Sequence, residues 1–279
     1  MNPTSGRHDS QGNPAVSVEV QKMSGCRLVA SCCFVCLALP IASLSQPKST
    51  KNANSIDSPN TTVSVHELRI PEKARSAFNK GAQRLAARDF AGSIIEFQKA
   101  IAAYDQFYEA YYKIGIANLE LQINDAAEAA FRKSIELSEA KYAPSLFGLG
   151  LTLGNEKQYE DGESYIRRGL NLEPMSAPGH FALAWVLYSA QRVVEAERSA
   201  REAVLYNPNL ANAHLLLAQI HRRQNNSAAM LEDLDAYLRI EPDGPRSRAL
   251  RTTRDEAQQA LDRDAAVKLA QAPNTEAER

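Results

Sequence analysis

Three prolines, Pro174, Pro208 and Pro242, lie 34 residues apart, and each closes a similar phrase: "LNLEP", "VLYNP" and "LRIEP". Proline lacks the amide donor and clashes with the preceding turn, so a helix stops at each of these points. A fixed period of this length calls for a row of short equivalent units, none of which can bury its apolar face alone. Small residues keep the same register. Gly81, Gly115, Gly150, Ala184 and Ala218 are spaced 34, 35, 34 and 34, and Ala100, Ser134, Gly169, Ala203 and Tyr237 repeat that spacing. Phe97, Phe131, Ile166, Ala200 and Leu234 follow it too, while Ser93, Ala127, Gly162 and Ala196 form a further series that Met230 breaks. Small side chains at fixed helical positions let two helices approach, and large apolar ones fill the space between them.

Each unit is therefore expected to be a helix pair. First helices are predicted near 74–87, 108–121, 143–156, 177–190 and 211–224, and second helices near 90–103, 124–137, 159–171, 193–206 and 227–240. Beyond Pro245, Leu250, Thr253, Ala257 and Leu261 share one stripe, which suits a capping helix over the last unit.

The pattern resembles the tetratricopeptide repeat (TPR) family, whose motif runs W-x₂-L-G-x₂-Y, then A-x₃-F, then P. Tyr111, Ile114, Gly115, Ala127, Phe131 and Ser134 match in the second unit. Leu146, Leu149, Gly150, Gly162, Ile166 and Pro174 match in the third, and Leu183, Ala184, Leu187, Ala196, Ala203 and Pro208 in the fourth. The resemblance implies an all-α, right-handed superhelical solenoid of five repeats at 74–107, 108–142, 143–176, 177–210 and 211–244, followed by a cap and loose tail over 245–279. Lys80 and Arg84 in the first repeat, and His214 and His221 in the fifth, occupy positions that are usually apolar; Met230 and Tyr237 occupy small ones. End repeats need a more polar outer face. One extra residue near Tyr142 separates repeats two and three and is expected to shift the superhelix locally.

The N-terminus reads as an address. Lys22 and Arg27 precede the apolar run "LVASCCFVCLALPIA" (Leu28–Ala42), and Ser43 and Ser45 stand at −3 and −1 of a cut before Gln46. Positive, apolar and small, in that order, is a secretory signal over 1–45, with Met23 as an alternative start. Two other fates stay open. Val29-Ala30-Ser31-Cys32 resembles a lipobox, although most of the apolar run follows the cysteine rather than preceding it. A retained anchor is the other, although the run falls short of the ~20 residues a span needs and Pro40 interrupts it. Residues 46–73 are polar and turn-rich at first and read as a flexible linker, with "VSVHEL" (Val63–Leu68) alternating as one short strand. Export implies a periplasmic or secreted protein if the source is bacterial.

Chemistry is hard to place on this chain. The four cysteines, Cys26, Cys32, Cys33 and Cys36, all lie in the leader, so the Cys33/Cys36 pair reads as incidental and the repeats carry no disulfide framework. No phosphate loop, nucleophile elbow or zinc helix is present. His214 and His221 are seven apart, too far for a two-ligand metal clip on one helix, and read as surface or packing residues. Net charge is −1, and Arg246, Arg248, Arg251 and Arg254 are offset by Asp255, Glu256, Asp262 and Asp264, which argues against nucleic acid. No catalytic residue, cofactor or metal is expected, and a membrane partner enters only through an uncleaved or lipidated leader.

In the family the first helices line a concave groove that holds a peptide or a partner's helix. The fifth, ninth and twelfth positions of each repeat usually face it. Here they give Phe78, Tyr112, Phe147, Phe181 and Leu215; Ala82, Ile116, Leu151, Trp185 and Gln219; and Leu85, Leu119, Gly154, Tyr188 and Arg222. The lysine and asparagine of the family's carboxylate clamp are missing, so that activity does not carry over. The expected partner site is an apolar stripe of Phe78, Tyr112, Ile116, Phe147, Leu151, Phe181, Trp185 and Tyr188, turning polar toward Arg222 and Arg223. An alternative use of the aromatic rings is packing between repeats. The chain is thus expected to be an exported, non-catalytic scaffold for a protein partner, or else an anchored or lipidated component of an envelope assembly.

Overall fold

The computed structural model describes residues 69–270; the leader, residues 46–68 of the expected linker with "VSVHEL" among them, and residues 271–279 lie outside them. The end of that linker is not loose, since Ile70 is buried in the core cluster of the first repeat and the first helix begins at Glu72. Among the described residues there are eleven α-helices and no strand. First helices are α1 (Glu72–Ala86), α3 (Tyr108–Glu120), α5 (Ala143–Asn155), α7 (Ala177–Ser189) and α9 (Ala211–Arg223). Second helices are α2 (Phe90–Ala103), α4 (Asn124–Leu137), α6 (Tyr159–Leu172), α8 (Val193–Tyr206) and α10 (Ser227–Ile240), and α11 (Ser247–Ala270) follows. Each first helix packs on its own second helix, and each second helix on the next pair, so the fold is a solenoid of neighbours.

The small-residue register works as close contact inside each pair. A Cβ placed at Gly81 would fall 2.7 Å from the Phe97 ring, one at Gly115 would fall 2.5 Å from Phe131, and one at Gly150 would fall 2.4 Å from Ile166. Phe131 is held from both sides, because a Cβ at Gly148 in the next repeat would also lie 2.4 Å from it. Between repeats two and three a buried relay runs in one direction. Ser134 Oγ donates to the Tyr108 carbonyl at 2.8 Å, so Ser145 must donate its proton to Ser134 Oγ at 2.6 Å.

The turns repeat as faithfully as the core. Arg88, Gln122, Lys157, Gln191 and Asn225 all take positive φ between 57° and 67°, one after each first helix. In each case the following amide bonds the carbonyl five residues back, for example Asp89 to Arg84 and Gln158 to Leu153, both at 2.9 Å. That is the Schellman stop, made here without glycine. Second helices α6, α8 and α10 end two residues before Pro174, Pro208 and Pro242, with the non-helical residues Glu173, Asn207 and Glu241 between. The extra residue near Tyr142 is taken up where no proline stands: Glu139 and Ala140 both enter the left-handed region, at φ 50° and 56°.

Helix α11 covers the last pair as the stripe predicts. Leu250 and Ala257 pack on Ala218, Met230 and Leu234, and Leu250 also meets Tyr237. Arg254 Nε donates to Asp235 at 3.0 Å and Arg251 to the Pro242 carbonyl at 2.5 Å. The oversized Met230 and Tyr237 are thus buried between α9 and α11.

Candidate functional site

The eight expected groove residues separate into two groups. Tyr112, Ile116, Phe147, Leu151 and Phe181 are only 2–5% exposed. The expectation of one continuous surface stripe is corrected accordingly: at the fifth position the aromatics are wedges between repeats. Phe147 fills space that glycines leave open on two other helices, since a Cβ at Gly169 of α6 or Gly179 of α7 would lie 2.5 or 2.6 Å from its ring. The Tyr112 ring centre lies 5.9 Å from Phe131 and 5.4 Å from Tyr142, the residue that leads into α5. Burial, with the nearby Glu173 adding to it, raises the Tyr112 hydroxyl well above the ordinary phenol value. The half-buried Phe78 repeats the arrangement, stacked at 4.9 Å on Phe107, the residue before α3. Phe181 belongs to the large cluster that joins α5 through α9.

Trp185 and Tyr188 behave differently. Both stay half-buried on α7 and pack against the edge of that cluster. Trp185 Nε1 donates to Asn155 Oδ1 at the end of α5, at 3.3 Å. The Arg223 guanidinium, at the end of α9, lies 5.9 Å over the Tyr188 ring, and its Nη2 donates to Gln191 Oε1. Asn155, Trp185, Tyr188 and Arg223 thus form a ridge of direct contacts across the ends of three successive first helices. Its apolar faces are aromatic and its rim is amide and guanidinium, a composition suited to binding.

Two further features were not anticipated from spacing. Lys113, beside Tyr112 on α3, is half-buried with its ammonium 5.3 Å over the Tyr112 ring, and burial lowers its pKa. His214 and His221 converge on one carboxylate from α10. Asp233 Oδ2 is 2.7 Å from His221 Nδ1, and Asp233 Oδ1 is 3.6 Å from His214 Nδ1. The Pro208 carbonyl accepts from His214 Nε2 at 3.0 Å, so His214 carries a proton there. Glu197 of α8, which pairs with Arg201 at 2.7 Å, stands 3.5 Å from His221 Nε2. The Asp233 carboxylate raises the His214 pKa, against a burial that lowers it. The two histidines pack against neighbouring helices, and they do so around a shared carboxylate. No group of three or more acidic, histidine or cysteine residues among the described residues is arranged to hold a metal.

Comparisons with known proteins agree with this architecture. The family model described as tetratricopeptide repeat matches residues 108–141. The chain is similar in fold to TTC0263, a thermophilic TPR protein of Thermus thermophilus, with a TM-score of 0.60 at 17% identity, covering 67% of this chain and 99% of that one. In sequence it is 24% identical over 153 residues to anaphase-promoting complex subunit 3 of Schizosaccharomyces pombe, across 55% of this chain and 23% of that protein. It is 26% identical over 137 residues to the human protein O-mannosyl-transferase TMTC1, across 49% and 15% respectively. The chain spans less than a quarter of the length of either relative.

Proposed function

We propose that this chain, a solenoid with the fold of tetratricopeptide repeat proteins and a match to that family's model over residues 108–141, is an exported, non-catalytic scaffold whose first helices hold a segment of a partner protein. One observation carries this reading. The wedge aromatics Tyr112, Phe147 and Phe181 are buried between repeats, whereas Trp185 and Tyr188 keep exposed surface and are held in position by residues of neighbouring repeats. Rings fixed before binding lose little freedom on binding, which favours them as anchors. Export rests on the leader's order of charge, apolar run and small residues. The retained or lipidated leader, placing the scaffold in an envelope assembly, is the second reading, and its support is the same apolar run.

A photo-crosslinking residue placed at position 188, with a second one at the exposed second-helix position 198 as control, tests the site in the full chain. Discrete products at 188 and none at 198 are expected. Equal products from both positions would refute a first-helix site. Sequencing the N-terminus of the chain recovered from its native envelope separates the two fates of the leader: a start near Gln46 removes the anchor.

A further inference from the structure

We infer that the segment bound on the Trp185–Tyr188 ridge is acidic, with one apolar side chain seated against the two rings and carboxylates engaging Arg222 and Arg223. This rests on the groove reading above and names its ligand class. Arginines serve two different ends across the repeats, pairing with acids on one side and with rings or amides on the other. One arginine on each of three second helices is neutralised within the chain: Arg132 pairs with Glu128 at 2.6 Å, Arg167 with Glu163 at 2.7 Å and Arg201 with Glu197 at 2.7 Å. Arg192 pairs with both Glu195 and Glu163, and Arg254 with Asp235. Arg222 and Arg223 are both exposed, and among the described residues neither has a carboxylate in ion-pair range. Arg223 is nonetheless placed, by Tyr188 and by the neutral amide of Gln191.

Two acids that reach α9, Glu197 from α8 and Asp233 from α10, are already committed elsewhere. Glu197 takes Arg201 and the Gln224 amide, and Asp233 takes the two histidines. Cations in the last turn of a helix offset its dipole. That does not account for the pair, because the last turns of α3, α5 and α7 carry no basic residue and end as cleanly. A planar guanidinium held by an aromatic face on one side and an amide on another keeps donors in a fork that matches a carboxylate. The ridge thus combines an apolar seat with the uncompensated charge of Arg223 on one ring, and Arg222 adds a second exposed charge beside it in the last turn of α9, which discriminates against basic segments and selects acidic ones.

Trp185 is the single tryptophan of the chain, so its emission reports this ridge alone. Three short tryptophan-free peptides with one shared apolar core, flanked by glutamate, glutamine or lysine, are titrated into the full chain. The glutamate peptide is expected to shift the emission saturably and to bind about tenfold or more tighter than the glutamine peptide, an advantage that shrinks as salt rises. In the doubly substituted Arg222→Gln, Arg223→Gln chain, with helical content unchanged by circular dichroism, the advantage is expected to fall to about twofold or less. If the glutamine or lysine peptide binds as tightly as the glutamate one, the acidic assignment is overturned while the groove reading stands. If no peptide of any charge moves the emission, both are overturned.

Discussion

Truncating Phe147 to alanine distinguishes a structural ring from a binding ring more sharply than any other single change. The ring is 2% exposed and rests on the backbones of two helices at Gly169 and Gly179. Removing a buried phenylalanine ring costs ~3–5 kcal/mol, and the cost rises with the cavity that survives relaxation. Here the facing positions are glycines, with no side chain to lean into the space, so about 4 kcal/mol is expected. A second substitution gives the result a sign. Gly169→Ala in the natural chain gains about 1 kcal/mol of helix propensity but sets a Cβ 2.5 Å from the Phe147 ring, where overpacking costs ~1–3 kcal/mol. The net effect is destabilising by up to about 2 kcal/mol. With Phe147 already alanine, the three nearest contacts of that Cβ, all Phe147 ring atoms, are gone, and the same change should stabilise by about 1 kcal/mol. Urea unfolding followed by circular dichroism measures all four members of the cycle, fitted with a nearest-neighbour repeat treatment because solenoid transitions need not be two-state. A Phe147→Ala cost below about 1 kcal/mol, or the same sign for Gly169→Ala in both backgrounds, would refute the wedge assignment.

Two further outcomes follow from the packing and the charges. Ala203→Leu inserts a larger side chain at a fully buried helix-pair position and is expected to destabilise by ~1–3 kcal/mol in the same melts, whereas a neutral result would count against the repeat register. His214 has a folded pKa raised above 6.5 by Asp233, with Arg239 as its other charged neighbour and His221 sharing the same carboxylate. Its stabilising contribution is therefore complete below 6.5 and is lost as pH rises through the raised folded value. The stability difference between the natural chain and His214→Gln should accordingly shrink on going from about pH 5.5 to about pH 8; a difference that grows over that range would contradict the sign.

Much of the fold can be read from spacing. The second helices α2, α4, α8 and α10 begin and end at the residues expected, and the first helices deviate by no more than two. The periodic glycines, alanines and phenylalanines meet inside the pairs, because a small residue on one helix and a large one on its partner are complementary wherever the period places them together. The site is less legible. Phe181 and Trp185 lie on the same stripe of α7, yet one is buried and the other keeps exposed surface. Periodicity assigns a side chain to a face of its own helix, while its exposure depends on how far the next repeat reaches over that face. His214 and His221 give the same lesson in polar form. Seven residues is too far for the two to share a ligand by themselves, and Asp233, arriving from another helix, spans the gap.

The sequence by itself determined the repeat, the helix pairing and the cap, since these follow from local stops and from a period that one unit cannot satisfy alone. It also determined that the first helices carry aromatics. Only the tertiary structure decided what those aromatics do. Where glycines at 169 and 179 open space between repeats, Phe147 is drawn into the core; where Asn155 and Arg223 close on α7 from either side, Trp185 and Tyr188 are braced at the surface. The difference arises from side chains more than 20 residues away, brought near by stacking, and no pattern along a single helix encodes it.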